Sequence, residues 1–448
     1  MNPAFFVNPS LRRQFDEATA RRATSPPANA DAVARGQLER VRTVWADAVA
    51  DVPYYAQLVA TGRAPASLGH WNDVAAIPVL TRRILQDRAP EFVRRSAPPA
   101  TFMTTAGSTG TPLRIGMNRA ERDLMRVVKL SAWQAFGYQP SSRLFLIWGH
   151  AHLLGTGWKG RVNHLKRRMA DAALGYRRVD AYHLTEASCA AHAEELIRFH
   201  PLGLIGYASA LDLFARYTSR FRERFRQLGL RFVLSTAEAP PRPDTISLLE
   251  DHFACPVVQE YGGAEFGQVA FKVGGAPFET YSDLNYVEAE APETDEPRSR
   301  PLLVTSLYLR YVPLLRYRVG DGVDGPDVMP HGHVRRFRDV AGRLNDIIQL
   351  GVGDAVHSVA VFHCIHQERV HNIQMVLRDD GIEVRLVSSE TDRPAMEARI
   401  RQRLAQVHPV LAGVQFRYLE DLETNRAGKR RWFVDHRTQV PCAASPAS

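Results

Sequence analysis

The chain has 448 residues, of which 45% are hydrophobic and 23% charged, with a formal net charge of +9. That length exceeds what one growing core supports, so two domains are expected of an ordinary globular composition. No apolar run reaches the roughly 18 residues of a membrane span, and "MNPAFFVNPSLRRQ" lacks the basic-then-apolar order of a secretory signal.

Residues 22–30, "RATSPPANA", read as a Pro/Ala/Ser loop between two helical stretches, the second of which, "ARGQLERVRTVWADAVADV", repeats apolar positions every three or four residues. Four apolar runs then read as buried strands: "RLFLIW" (143–148), "LGLIGY" (202–207), "RFVLST" (231–236) and "PVVQEY" (256–261). Between them "TEASCAAHAEELIRFH" and "SALDLFARYTSRFRERFRQL" read as helices, an alternation that argues α/β layering on a largely parallel sheet. The tail changes character. "AVHSVAVFHCIHQER" reads as a helix, "NIQMVLRDDGIEVRLV" as two strands about an Asp-Gly turn, "RPAMEARIRQRLAQVH" as a helix and "VQFRYLEDL" as a strand. The expected fold class is therefore α/β, a large N-terminal domain (1–342) and a small α+β C-terminal domain (343–448).

Cys189, Cys255, Cys364 and Cys442 are scattered without a pairing pattern, which suits a reduced, cytoplasmic setting. The positive balance favours anionic partners, yet the densest cluster, "KGRVNHLKRRM" (Lys159–Met169), has no aromatic interleaving. Neither nucleic acid nor membrane is an expected partner. His363, Cys364, His366 and His371 sit close in sequence but lack the spacing of a zinc site, and read as packed or polar histidines.

Six stretches carry chemistry. "TTAGSTGTP" (Thr104–Pro112) is no Walker A loop, but its glycines let amide groups converge on an anion and its hydroxyls add donors. "STAEAP" (Ser235–Pro240) ends a buried strand, where ligand crevices of open α/β sheets lie. "EYGGAEFG" places Glu265 where a carboxylate suits magnesium on a triphosphate. "LLRYRVGDG" sets Asp321 between glycines, suited to two ribose hydroxyls, and "AGRLNDIIQLGVG" offers Arg343 at the domain joint. "NRAGKRRWF" puts Lys429 on a loop after a glycine.

In this order the stretches resemble the adenylate-forming (ANL) superfamily, and most of all its phenylacetate–CoA ligase and capsule-biosynthesis CapK-like branch. "TTAGSTGTP" is similar to that family's phosphate loop and "FHPLGLIGYASAL" to its Gly-Tyr-x-Ser segment; "YGGAE", "YRVGD", "GRLND" and "GK" follow in the family's order. The resemblance implies ATP-dependent adenylation of a small, aromatic carboxylic acid with release of pyrophosphate, then transfer to coenzyme A. It implies that Lys429 is catalytic, bridging carboxylate and α-phosphate, and that Thr104, Thr105, Gly107, Ser108, Thr109 and Gly110 hold the outer phosphates. Ala237, Glu238, Tyr261 and Gly262 would flank adenine, Asp321 and Arg343 the ribose, and Glu265 a Mg²⁺ ion. Asn345 would be the hinge on which a mobile C-terminal domain turns, and Trp148, His150, Tyr207, Gly263 and Ala264 would wall the acid pocket. A homodimer is usual among such proteins, though no residue here shows one. Thr111 stands where the family's loop carries Lys, Ala264 where a Thr is usual, and Val319 replaces a Thr. The first two of these positions leave open an alternative of the same fold, a diazotase activating nitrite for attack by an aryl amine, with an amide ligase as a further variant, while Val319 reads as a packing change.

Overall fold

The computed structural model describes residues 9–24, 30–98, 100–104, 114–148, 157–181, 184–263, 265–290, 299–343, 347–351, 354–357, 361, 364–365, 368, 370–420, 422 and 433–437. Two compact units part at Val340/Ala341.

The large unit opens with helices α1 (Pro9–Thr24), α2 (Ala30–Asp51), α3 (Pro53–Ala60), α4 (Trp71–Ala75) and α5 (Arg82–Asp87). The periodicity of α2 drives Val41, Val44, Trp45 and Ala48 into a core shared with Leu302, Val304, Leu314 and Tyr317. Strands β1 (Thr101–Thr104) and β2 (Arg114–Met117) pair antiparallel, with Thr104 opposite Arg114. Helix α6 (Arg119–Ala132) starts at a capping box between Asn118 and Glu121.

Alternating strand and helix follow: β3 (Leu144–Ile147), α7 (Gly157–Ala173), β4 (Tyr176–Val179), α8 (Glu186–Phe199), β5 (Gly203–Tyr207), α9 (Ala208–Tyr217), α10 (Arg222–Arg226), β6 (Phe232–Thr236), α11 (Thr245–Phe253) and β7 (Val257–Gly263). The run read as one helix from residue 209 breaks at Thr218, whose hydroxyl bonds back to the Phe214 carbonyl at 2.6 Å. Next come β8 (Gly267–Val273), β9 (Phe278–Thr280), β10 (Asn285–Ala289), β11 (Arg300–Ser306), β12 (Tyr317–Asp324), β13 (Asp327–Val328), β14 (Val334–Phe337) and β15 (Asp339–Arg343). A nine-stranded sheet runs in the order β13-β14-β9-β8-β7-β6-β5-β3-β4. It is parallel from β4 to β7 and antiparallel from β7 to β13, so β7 is the seam.

The small unit has its own core of Ile373, Met375, Val384, Leu386, Met396, Ile400 and Leu404. It pairs β16 (Ile347–Gly351) with β17 (Asp354–His357), and a second sheet holds β18 (Val370–Arg378) and β19 (Gly381–Ser388) with β20 (Gln415–Tyr418) and β21 (Phe433–Asp435) outside them. Helix α12 (Arg393–Val407) packs on that sheet, capped by Asp392. The helix expected from Ala355 is corrected at its start. Residues 354–357 are a strand, because Ile347 and Ile348 offer a ladder to Val356 and His357.

Candidate active site

Register along the parallel half brings the sequence candidates to one edge. Ile147 lies opposite Gly206, Tyr207 opposite Thr236, and Thr236 opposite Glu260. Trp148 just past β3, Tyr207 at the end of β5, Ala237 just past β6 and Tyr261 in β7 therefore stand on successive neighbours at the carboxyl ends. Such edges hold the ligand crevice of open α/β sheets. Spaced about 4.8 Å apart, the four strands spread these residues over roughly 14 Å.

Trp148 and Tyr207 stack with ring centroids 4.2 Å apart and planes at 21°, making one aromatic wall. Ala237 has φ +72°, a left-handed conformation that costs an L-residue about 1–2 kcal/mol. It follows the buried strand Phe232–Thr236 directly, so the chain turns sharply at the crevice edge. Glu238 holds that turn in place. Its Oε1 accepts from the Ser209 amide at 2.8 Å and from the Ser209 hydroxyl, in the first turn of α9. The Glu238 carboxylate is thereby engaged within the fold.

Tyr261 and Glu260 point to opposite faces of β7, as the two-residue period of a strand requires. The Tyr261 hydroxyl donates to Asp321 Oδ2 at 2.7 Å, joining the residue expected beside adenine to the one expected at ribose across 60 positions. Tyr261 packs edge-on against Phe278 and Phe337, which fix its ring. On the other face Glu260 accepts from Tyr281 at 3.1 Å, and desolvation pushes its carboxyl above the usual range. Gly262 sits at a break in the β7–β8 register, and a Cβ there would run into the carbonyl oxygen of Gly267. Only glycine fits that approach. Gly320, with φ +90°, gives Asp321 its place at a backbone angle closed to most residues.

Glu265 is buried just after the β7 turn, and among the described residues its Oε1 meets Arg82 Nη1 at 3.4 Å and the Tyr317 hydroxyl at 3.5 Å. These exceed the roughly 2.7–3.2 Å of a firm hydrogen bond, so the carboxylate is held loosely. Among the described residues no three His, Cys, Asp or Glu side chains cluster as a metal site. A single hard-oxygen ligand suits Mg²⁺, which keeps several waters and takes phosphate oxygens beside one or two carboxylates. Arg82 reaches Glu265 because Leu80 bridges to Tyr317, with the Arg318 amide on the Leu80 carbonyl at 2.9 Å.

Asp321, Tyr261, Gly262, Gly263, Glu265, Ala237, Glu238, Trp148 and Tyr207 are thus described in the large unit. Thr104 ends β1 and Arg343 ends β15 as backbone positions. Thr105, Gly107, Ser108, Thr109, Gly110, His150, Ala264, Asn345 and Lys429 lie outside the described residues, as do the departing position Thr111 and the histidines His363 and His366. Arg82, Tyr317, Ser209 and Tyr281 were not singled out from sequence. Each acts through a partner at least 21 positions away; Tyr317 and Ser209 lie inside the YRVGD and Gly-Tyr-x-Ser stretches, whereas Arg82 and Tyr281 lie in no motif stretch.

No family model matches the chain. It is 24% identical over 273 residues to Protein CapK of Staphylococcus aureus, a match that spans 58% of this chain and 58% of that protein. A solved 2-hydroxyisobutyryl-CoA ligase, in the postadenylation state with R3-HIB-AMP, superposes with a TM-score of 0.67 at 17% identity, covering 93% of this chain and 91% of that one. The same ligase with 2-HIB-AMP and CoA in the thioesterification state gives 0.56 at 18% identity, over 94% and 92%. The fold is that of the adenylate-forming ligases.

Proposed function

We propose that the protein is an ATP-dependent ligase that adenylates a small, aromatic carboxylic acid and passes the acyl group to coenzyme A. The observation that carries the reading is the Tyr261–Asp321 hydrogen bond of 2.7 Å at the carboxyl edge of the sheet, which joins the two residues proposed for adenine and for ribose. The shared fold with a ligase solved in complexes holding an acyl-adenylate and CoA supports it.

In the first half-reaction a carboxylate oxygen attacks the α-phosphorus, the bond to the α–β bridging oxygen breaks, and pyrophosphate leaves with that electron pair. Two anions must approach, so positioned donors and cations supply most of the barrier lowering. Asp321 and Arg343 orient the nucleotide through its ribose. The hydroxyls of Thr104, Thr105, Ser108 and Thr109 and the amides of Gly107 and Gly110 hold the β- and γ-phosphates. Lys429 stabilises the charge that gathers between carboxylate and α-phosphate. Glu265 would hold Mg²⁺, whose chemistry there is to neutralise triphosphate charge. The stacked Trp148 and Tyr207 form an apolar wall that favours an aromatic acid over a short aliphatic one. In the second half-reaction the thiolate of coenzyme A attacks the acyl carbon and AMP departs; a turn at Asn345 would bring the other face of the C-terminal domain to the adenylate.

The test is pyrophosphate release with a panel of aromatic and aliphatic acids and with nitrite, followed by addition of CoA or an aryl amine. Acid-dependent release, AMP formation and CoA consumption are expected, with Lys429→Ala slower by about 100-fold or more. Release with nitrite and an aryl amine, and none with any acid, would replace this reading with that of a diazotase.

A further inference from the structure

Helix α7 (Gly157–Ala173) leaves an apolar stripe in solvent. Trp158 is 77% exposed, Leu165 60% and Met169 65%, three of the six large hydrophobic side chains that stand exposed among the described residues. At 3.6 residues per turn, Trp158, Val162, Leu165, Met169, Ala172 and Ala173 fall within about 100° of one another. Lys159 and Lys166 flank the stripe on one side, Arg161 and Arg168 on the other. On the opposite side Gly160 is buried and buried Asp171 takes both Nε and Nη2 of Arg178 at 3.0 Å, while His164 and Arg167 between them are exposed. The helix is anchored by its polar side and shows water its apolar one, the reverse of a core-facing helix.

We infer that α7 is a docking face for the surface of an anionic lipid bilayer, lying in the plane of the membrane with Trp158, Leu165 and Met169 in the acyl boundary. Charge decides the occupant. The helix carries five Lys and Arg against one Asp, so a second copy laid on it would set like charges against each other. An anionic membrane instead stratifies its chemistry as the helix does, with acyl chains under the apolar stripe and phosphates level with the flanking cations. The basic surface continues past the helix. Ala172 borders a groove of about 400 Å³ whose other walls include Arg143, Arg198 and the Arg177–Glu195 ion pair, a lining with a net positive charge. No described helix is long and apolar enough to cross a membrane. The absence of a membrane partner expected from sequence rested on that kind of segment, and it does not bear on a peripheral helix.

The full-length protein is sedimented with vesicles of phosphatidylcholine alone or mixed equally with phosphatidylglycerol. Binding to the mixed vesicles only is expected, weakened by salt. Neutralising Lys159, Arg161, Lys166 and Arg168 to Gln should lower partitioning by about fivefold per charge. The triple change Trp158→Ser, Leu165→Ser, Met169→Ser should abolish it with the thermal melt unchanged. Should that variant misfold, Trp158→Phe decides: it should still bind, but lose a blue-shifted emission component that the wild type gains with vesicles. No binding of wild type to anionic vesicles overturns the inference. So does dimerisation in solution that the stripe substitutions abolish, and so does capture of an acidic protein with vesicles ignored.

Discussion

The two halves of the nine-stranded sheet are made of different material. In β3, β5 and β6 nearly every residue is buried on both faces, whereas β8, β9 and β14 mix buried with half-buried positions, and β13 is exposed. The parallel half is covered by α8, α9 and α11 and holds its shape by apolar packing. The antiparallel half adds cross-strand ion pairs such as Arg336–Glu279 and Arg335–Asp327. The candidate site belongs to neither half alone. It gathers at the seam strand β7, where a rigid parallel edge fixes Trp148, Tyr207 and Ala237, and the antiparallel side brings Phe278 and Phe337 onto Tyr261. The lesson is one of division of labour: packed strand ends set positions, and the open half supplies the groups that close on them.

Substitutions at the seam should break this comparison most sharply. Gly262→Ala forces a methyl into the Gly267 backbone, so it should cost about 3 kcal/mol in chemical denaturation and disturb both halves together. A loss confined to one transition, with the other half intact, would show that the seam does not couple them.

Two buried histidines, one beside each half, sharpen it through pH. The Thr218 hydroxyl is used on the Phe214 carbonyl, so it accepts from His252 Nε2–H at 3.1 Å and places a proton on that nitrogen. Burial, with Arg222 adding to it, lowers the His252 pKa from 6.5 to about 4. The unfolded chain takes up this proton below about pH 6.5 while the folded chain refuses it until about 4. The stability is therefore full above 6.5 and lost as pH falls through that window, up to about 3 kcal/mol. On the antiparallel side burial lowers His333 to about 3, extending the loss to lower pH. Denaturant midpoints from pH 7 to 3 should show His252→Gln flattening the fall between about 6.5 and 4, and His333→Gln flattening it over the whole range down to about 3. An unchanged slope in either variant would count against that histidine.

The smallest effect is expected on the open half. Arg336 and Glu279 pair at 2.6 Å, but their side chains are 41% and 47% exposed. Arg336→Ala should cost under about 1 kcal/mol, and less in high salt. A larger loss would mean that the antiparallel half depends on its ion pairs more than on Phe278 and Phe337.

The same contrast explains what could be read from sequence. Strands β3, β5, β6 and β7 announce themselves as short apolar runs at 143–148, 202–207, 231–236 and 256–261, whereas the parallel edge strand β4, Tyr-Arg-Arg-Val, is mostly half-buried and no apolar run marks it. Strands β8, β9 and β14 have mixed faces with charged side chains, so no run marked them. Val356 and His357 were taken into a helix because the ladder that claims them comes from Ile347 and Ile348, which a local reading does not weigh. Asp321, Glu265 and Tyr261 sit in glycine-framed motifs and were legible. Arg82 was not, since only the Leu80–Tyr317 bridge carries it to Glu265, 183 positions along the chain.

The central claim is that one face of β7 serves a nucleotide and the other serves the fold. Acid-dependent exchange of pyrophosphate into ATP, measured for Asp321→Ala beside Glu260→Gln, tests it most directly. Asp321→Ala should lose roughly 100-fold in kcat/KM as the ribose contact goes, while Glu260→Gln stays within a few-fold of wild type. Exchange left intact by Asp321→Ala, or equal losses in both variants, would contradict the account.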